Sequence, residues 1–207
     1  MPARPYVQRR RAESTARTRD TILDAALQLA ATRPLGALTV AAIAERAGVQ
    51  RLTVYRHFGD EPALLAGLVA RWRSRGGAPD PAAWKARHDP RQRLRSALDE
   101  LYAFYERDDA VLAPILRDRA AVPALDALLG PFDAMLDDAR HVLVEPWSVQ
   151  GRARGWLEAL VAHAIRHSTW RSLRGEGDDP AGGGLPSSDA ARLMSRVVAE
   201  VARDPYG

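Results

Sequence analysis

The sequence predicts an all-α protein in two parts, a small N-terminal helical domain over residues 1–75 and a larger helical domain over 76–207. Three observations carry that expectation. Apolar residues recur at three- and four-residue spacing along most of the chain, the period of a half-buried helix. No alternating β-branched run of the kind a half-exposed strand needs is present. Gly and Pro punctuate the periodic stretches, most clearly in Gly76-Gly77-Ala78-Pro79-Asp80-Pro81, where the domain boundary is placed.

Composition narrows the classes of function. With 207 residues the chain can bury a sizeable core. It has no Cys, which removes disulfides and thiolate metal sites and suits a reducing compartment. The opening MPARPYVQRRRAES has no apolar stretch resembling a secretory signal, and no apolar run approaches the roughly 20 residues that span a bilayer. A soluble, cytoplasmic protein without a membrane partner is therefore expected. The formal charge of +4 is unevenly placed: residues 1–75 carry 13 Arg against 6 Asp and Glu, a net of +7, and the remainder carries −3. Positive charge gathered at one end is the electrostatic footprint of a nucleic-acid partner.

Residues 1–13 are rich in Pro and Arg and are expected to be disordered in isolation. Arg4, Arg9, Arg10 and Arg11 make them a basic arm. Two readings of the arm stand side by side, contact with phosphates or an adjacent minor groove, and a solvated tail. The first helix is expected over Ser14–Thr32, with Ile22, Ala25, Ala26 and Leu29 on one face, Leu23, Leu27 and Ala30 widening it, and Pro34 and Gly36 ending it. A second, shorter helix follows, capped by Thr39 and carrying Val40, Ile43, Ala44 and Ala47 at helical spacing. Gly48 breaks it, since a left-handed terminal residue costs Gly little. Val49 then plugs the turn, and Gln50–Phe58 forms a third helical run.

Two helices joined at a Gly turn form a helix-turn-helix, whose second helix enters the major groove. The outward face of Gln50–Phe58 separates this from an ordinary helical hairpin. Gln50, Arg51, Thr53, Tyr55, Arg56 and His57 are nearly all hydrogen-bond donors, and no carboxylate occurs between Glu45 and Asp60. A structural surface helix more often mixes charges of both signs. Arg51 suits a bidentate contact with guanine O6 and N7, and Gln50 suits adenine N6 and N7. Phe58 ends the run on the inward side and is expected in the core. Asp60 caps a fourth helix, with Pro62 in its first turn and Leu64, Leu65, Leu68, Val69 and Trp72 following at helical spacing.

Residues 19–65 resemble the DNA-binding domain of the TetR family of transcriptional regulators. The matching pieces are Ile22-Leu23-Asp24-Ala25-Ala26, Thr39-Val40, Ile43-Ala44, Ala47-Gly48-Val49, Thr53, Tyr55, His57-Phe58 and Ala63-Leu64-Leu65. The resemblance implies a homodimeric, ligand-responsive repressor on a palindromic DNA operator, with no cofactor. It also implies that Thr39, Thr53, Tyr55 and His57 hold the sugar-phosphate backbone, contacts that fix register without reading sequence. Four departures stand out. Ala30 replaces the family's usual aromatic and Pro34 its usual Gly, both matters of packing. Glu61 stands where a Lys often holds a phosphate, so that contact is not carried over. Leu52 replaces a common Gly or Pro, and either packs on a thymine methyl or obstructs the groove.

From Pro90 onward one helix is expected through Leu94, Leu98, Leu101, Tyr102 and Tyr105, and a short piece around Leu112–Leu116. Another starts at Pro123, with Gly130-Pro131 breaking or kinking it before Phe132–Val144. Val149–Leu173 reads as one long helix, with Trp156, Leu160, His163, His167 and Trp170 on one stripe and Leu157, Val161 and Ala164 beside it. After a flexible loop over Gly175–Pro186, Ser187 or Ser188 caps a final helix carrying Ala190, Leu193, Met194, Val197, Val198 and Val201. These last two helices have apolar faces wide enough to pair across a two-fold axis, and the family resemblance places dimerisation there.

Enzyme chemistry finds no support. No Gly-rich phosphate loop, nucleophile elbow or paired catalytic carboxylates are present, and Asp108-Asp109 and Asp137-Asp138 read as solvated pairs. His163 and His167 have metal-chelating spacing but lack a third ligand, so an interface or pocket role is preferred to a metal site. The resemblance implies a pocket for a small-molecule effector. Tyr102, Tyr105, Phe132, Met135, Trp147, Trp156 and His163 have a suitable aromatic and polar mix, which equally suits a core. Two other classes remain in view: a helical protein-interaction module binding DNA only non-specifically, and a metal-dependent enzyme using the His pair.

Overall fold

The computed structural model of the chain describes residues 4–34, 38–175 and 183–203, and among them finds ten α-helices and no strand. Contacts divide the chain into two compact units. One is Met1–Gly77 with Ala110–Leu128, and the other is Ala78–Asp109 with Leu129–Gly207. The single division expected between residues 75 and 76 has no place for the second stretch of the first unit, because local sequence does not reveal which distant helix a segment packs against.

In the first unit, α1 (Arg4–Ala30) starts ten residues before the expected Ser14. The basic arm is therefore helical from Arg4, and the expectation of disorder fails there. Arg, Ala and Glu are good helix formers, and extending an existing helix needs no new nucleus. Arg9 and Glu13 pair at 3.1 Å, one turn apart. Residues 1–3, and Gly36 with its neighbours 35 and 37, lie outside the described residues. The buried face of α1 is Ile22, Leu23, Ala25, Ala26, Leu27 and Ala30, with Leu29 half-buried.

The next helix, α2 (Val40–Ala47), begins as its cap predicts: Thr39 Oγ1 accepts the Ala42 N–H at 3.2 Å. It ends at Gly48 with φ +67°. The Gly48 N–H donates to the Glu45 carbonyl at 3.1 Å and the Val49 N–H to the Ala44 carbonyl at 2.9 Å. This pair of bonds satisfies carbonyls the helix would otherwise leave open. α3 (Arg51–Phe58) buries Val54 and Phe58. Asp60 caps α4 (Glu61–Ser74) by accepting the Ala63 N–H at 2.8 Å. α4 packs Leu64, Leu68, Val69 and Trp72 inward. Gly67 lets it approach closely, since a Cβ there would lie 3.0 Å from Phe58 Cε1 and 3.1 Å from Leu23 Cδ2.

The Gly- and Pro-rich boundary is followed by a short helix that periodicity does not reveal. In α5 (Pro81–Trp84), Trp84 is buried and its indole N–H donates to Glu100 Oε2 at 2.7 Å. α6 (Pro90–Asp118) is one helix of 29 residues with Pro114 inside it, so the short piece around Leu112–Leu116 is its C-terminal end. A proline deletes one backbone donor, and the fully buried Leu112 and Ile115 anchor those turns despite that loss. A 3-10 turn at Arg119–Ala121 leads to α7 (Ala124–Val144), which runs unbroken through Pro131.

Val149–Leu173 is two helices, α8 (Gly151–Ala164) and α9 (His167–Leu173), rather than one. The physical cause lies in the carbonyls at the break. The Tyr102 hydroxyl donates to Ala164 O at 2.8 Å, the Tyr105 hydroxyl donates to Ile165 O, and Thr169 Oγ1 donates to His163 O at 2.6 Å. Two tyrosines of α6, together with Thr169 of α9 itself, thus serve carbonyl oxygens at the break. α10 (Ser187–Arg203) begins at Ser187, whose hydroxyl accepts the Trp170 indole N–H at 3.0 Å. Residues 176–182 of the expected loop lie outside the described residues. Arg93 is buried and donates to the carbonyls of Arg87 at 2.8 Å and Val142 at 3.1 Å, with Glu145 at 3.6 Å. Among the described residues no helix is long and apolar enough to cross a membrane.

Candidate nucleic-acid interface

The eight residues of α3 make just over two turns, and Val54 and Phe58, four residues apart, hold one side in the core. The opposite side carries Arg51, Leu52, Tyr55 and Arg56, all exposed, while Thr53 and His57 lie half-buried on its flanks. Gln50 is exposed at the N-cap and makes no side-chain capping bond, so its amide group is not committed to the helix end. Exposed Thr39 accepts a backbone N–H through Oγ1, which leaves the hydroxyl hydrogen able to donate outward. Six of the eight DNA-contacting candidates are therefore exposed and two half-exposed, on elements held by α1 and α4.

The brace behind this face is ionic as well as apolar, and sequence reasoning missed it. Arg71 of α4 donates to both carboxylate oxygens of Asp24 on α1, at 3.1 and 3.2 Å, and Arg75 adds a bond at 2.6 Å. The hydrogen bond from Arg71 holds the Asp24 carboxyl below the usual range against the opposing effect of partial burial, and Arg75 adds to the lowering. The same bond raises Arg71. Arg46 of α2 donates to Gln28 on α1 at 3.0 Å. The Arg19 guanidinium sits 4.7 Å from the centre of the Phe58 ring at the end of α3. Partners 18 to 51 residues apart leave no local pattern to read.

The seven effector-pocket candidates fall in different surroundings. Tyr102, Tyr105, Phe132 and Trp147 are buried, Met135 is half-buried, and Trp156 and His163 are exposed. Burial pushes both tyrosine phenols above their ordinary range, and the Tyr102 hydroxyl adds to the effect on Tyr105. The Trp147 indole N–H donates to Leu143 O at 2.9 Å. The break between α8 and α9 separates His163 from His167, so the i, i+4 relation inferred for them does not exist on a common helix. His167 is instead buried, with Nε2 2.6 Å from Asp109 Oδ1 and its ring edge-on to Tyr105 at 5.2 Å. Asp109 also lies 3.6 Å from Arg171, and Asp108 pairs with Arg107 at 2.7 Å, so this carboxylate pair is engaged rather than solvated. Among the described residues no group of three or more His, Cys, Asp or Glu side chains is arranged to hold a metal ion.

Residues 22–68 match the family model for bacterial regulatory proteins of the tetR family. The HTH-type transcriptional regulator AlkX of Mycobacterium tuberculosis is 37% identical over 67 residues, which make up 32% of this chain and only 30% of that relative. Among solved structures, a TetR-like transcriptional regulator from Rhodococcus sp. RHA1 superposes with a TM-score of 0.65 at 19% identity, over 88% of this chain and 94% of that one. A TetR-family transcriptional regulator from Mesorhizobium loti gives 0.60 at 18% identity, over 91% and 97%. At such identities the structural likeness speaks for the fold, while the sequence match speaks for the amino-terminal domain. These families and neighbours are transcriptional regulators, not enzymes. Residues 22–68 thus match the amino-terminal domain of tetR-family regulatory proteins, and the chain shares its overall fold with TetR-like regulators of solved structure.

Proposed function

We propose that the protein is a cytoplasmic, homodimeric transcriptional repressor that binds a palindromic operator and releases it on binding a small-molecule effector. The observation that carries the DNA reading is the exposed face of α3, which holds Arg51, Tyr55 and Arg56 with no carboxylate between Glu45 and Asp60. In this reading Arg51 and Gln50 read base edges, each well-made bidentate pair contributing about 1–3 kcal/mol of discrimination. Thr39, Thr53, Tyr55, Arg56 and His57 hold phosphates and set the register.

Dimerisation is assigned to α8 and α10, which pack on each other and leave Trp156, Leu193 and Val197 exposed at 42, 42 and 40%. A second copy would cover these side chains, and two-fold symmetry would then place two α3 helices on matching half-sites. The effector is assigned to the helical part over residues 76–207, among Tyr102, Tyr105, Phe132, Met135, Trp147, Trp156 and His163. It acts by binding better to a dimer geometry whose recognition helices no longer match the half-site spacing.

A binding titration against DNA from upstream of the protein's own gene tests the reading, at two salt concentrations and with random DNA as competitor. Site-selective binding that survives the competitor, and that Arg51→Ala weakens while relaxing sequence preference, is the expected result. Uniform binding abolished by competitor would leave only a helical interaction module with non-specific affinity for DNA.

A further inference from the structure

We infer that Leu52 is a sequence-reading residue that recognises the 5-methyl group of a thymine, an assignment that rests on the operator reading above. Leu52 is the second residue of α3 and is 75% exposed, the highest exposure among the large apolar side chains described. At about 100° per residue it lies roughly 200° around the helix from buried Val54, so it points away from the core. Tyr55 and Arg56, three and four residues on, share its side, and Arg51 precedes it. Leu52 thus contributes nothing to the packing of its own unit and stands among the groups assigned to DNA.

The first turn of a recognition helix is the part that meets base edges. Of the groups the major groove presents, only the thymine methyl is apolar, and an aliphatic side chain gains there by removing both surfaces from water. A single exposed Leu on a protein surface is ordinary. Its position between Arg51 and Tyr55 gives it a specific partner, and the polar groups around it leave a methyl as the only base substituent it favours. Leu52 therefore acts as the apolar element of a readout whose polar elements are Gln50 and Arg51.

The test begins with selection of a preferred site from a random duplex library by the full-length protein. Each thymine of that site is then replaced in turn by deoxyuridine, which removes the methyl and leaves base pairing unchanged. Wild type and Leu52→Ala are titrated on each duplex, and the variant's exposed position predicts an unaltered melting curve. Uracil at one position of each half-site should weaken wild-type binding by about fourfold per half-site, the factor expected of one buried methyl. Leu52→Ala should bind thymine and uracil there equally. A wild type indifferent to uracil at every position, or a variant keeping the full wild-type sensitivity, overturns the assignment while the operator reading stands. A selection returning no shared sequence overturns the operator reading and this assignment with it.

Discussion

Replacing Gly48 by Ala isolates the backbone contribution of the turn between α2 and α3. Gly48 has φ +67° and ψ +31°, and a Cβ built on it meets nothing within 4 Å. The cost is therefore conformational and not steric. An L-residue held in the left-handed region loses about 1–2 kcal/mol. The narrower unfolded ensemble of Ala offsets roughly 0.4–1 kcal/mol of that. A net destabilisation of about 1 kcal/mol follows, and with a urea slope of about 2 kcal/mol/M the midpoint should fall by roughly 0.5 M. Gly48→Asn should recover part of the loss, because Asn enters the left-handed region more readily. Urea unfolding followed by far-UV circular dichroism, with the slope fitted for each variant, measures the effect. If Gly48→Ala matched wild type, or Asn were no better than Ala, the conformational account of this turn would be refuted.

Gly67→Ala should act for the opposite reason. Helix propensity favours Ala by about 1 kcal/mol, but contacts of 3.0 and 3.1 Å to buried Phe58 and Leu23 bring an overpacking cost of about 1–3 kcal/mol. The expected net is a loss of about 1 kcal/mol, and a raised melting temperature would contradict it. Asp24→Asn removes the charge that Arg71 and Arg75 share. Because the folded carboxyl lies below its unfolded value, its contribution is fully present above the unfolded value of about 3.9 and lost as pH falls through the folded one. The variant should be about 1 kcal/mol less stable at pH 7, a figure limited by solvent screening, and the gap should close below about pH 4. A gap independent of pH would assign the effect to something other than the charge. Trp84→Ala should cost about 3–5 kcal/mol by thermal melting, since it empties a buried site and strips Glu100 of its donor. A shift within error would mean that α5 is not part of the second unit's core.

The exposed face of α3 was legible in the chain because its determinants are local. Thr39, Gly48 and Asp60 act on the backbone within three residues of themselves, so a cap or a turn is written where it operates. Val54 and Phe58 are four residues apart, and their spacing alone assigns the inward face and hence the outward one. The absence of a carboxylate between Glu45 and Asp60 is likewise a local fact.

Tertiary structure decided what depends on distant partners. Periodicity carried Val149–Leu173 as one helix, and the hydroxyls of Tyr102, Tyr105 and Thr169 ended it by taking carbonyls at Ala164, Ile165 and His163. That break buried His167 against Asp109, 58 residues away, and left His163 at the surface. The clamp of Asp24 by Arg71 and Arg75, the short helix that buries Trp84, and the unbroken courses of α6 and α7 through Pro114 and Pro131 have the same origin. Helix periods and end signals belong to a few neighbouring residues, whereas hydrogen-bond partners and burial belong to whichever segments the fold brings together.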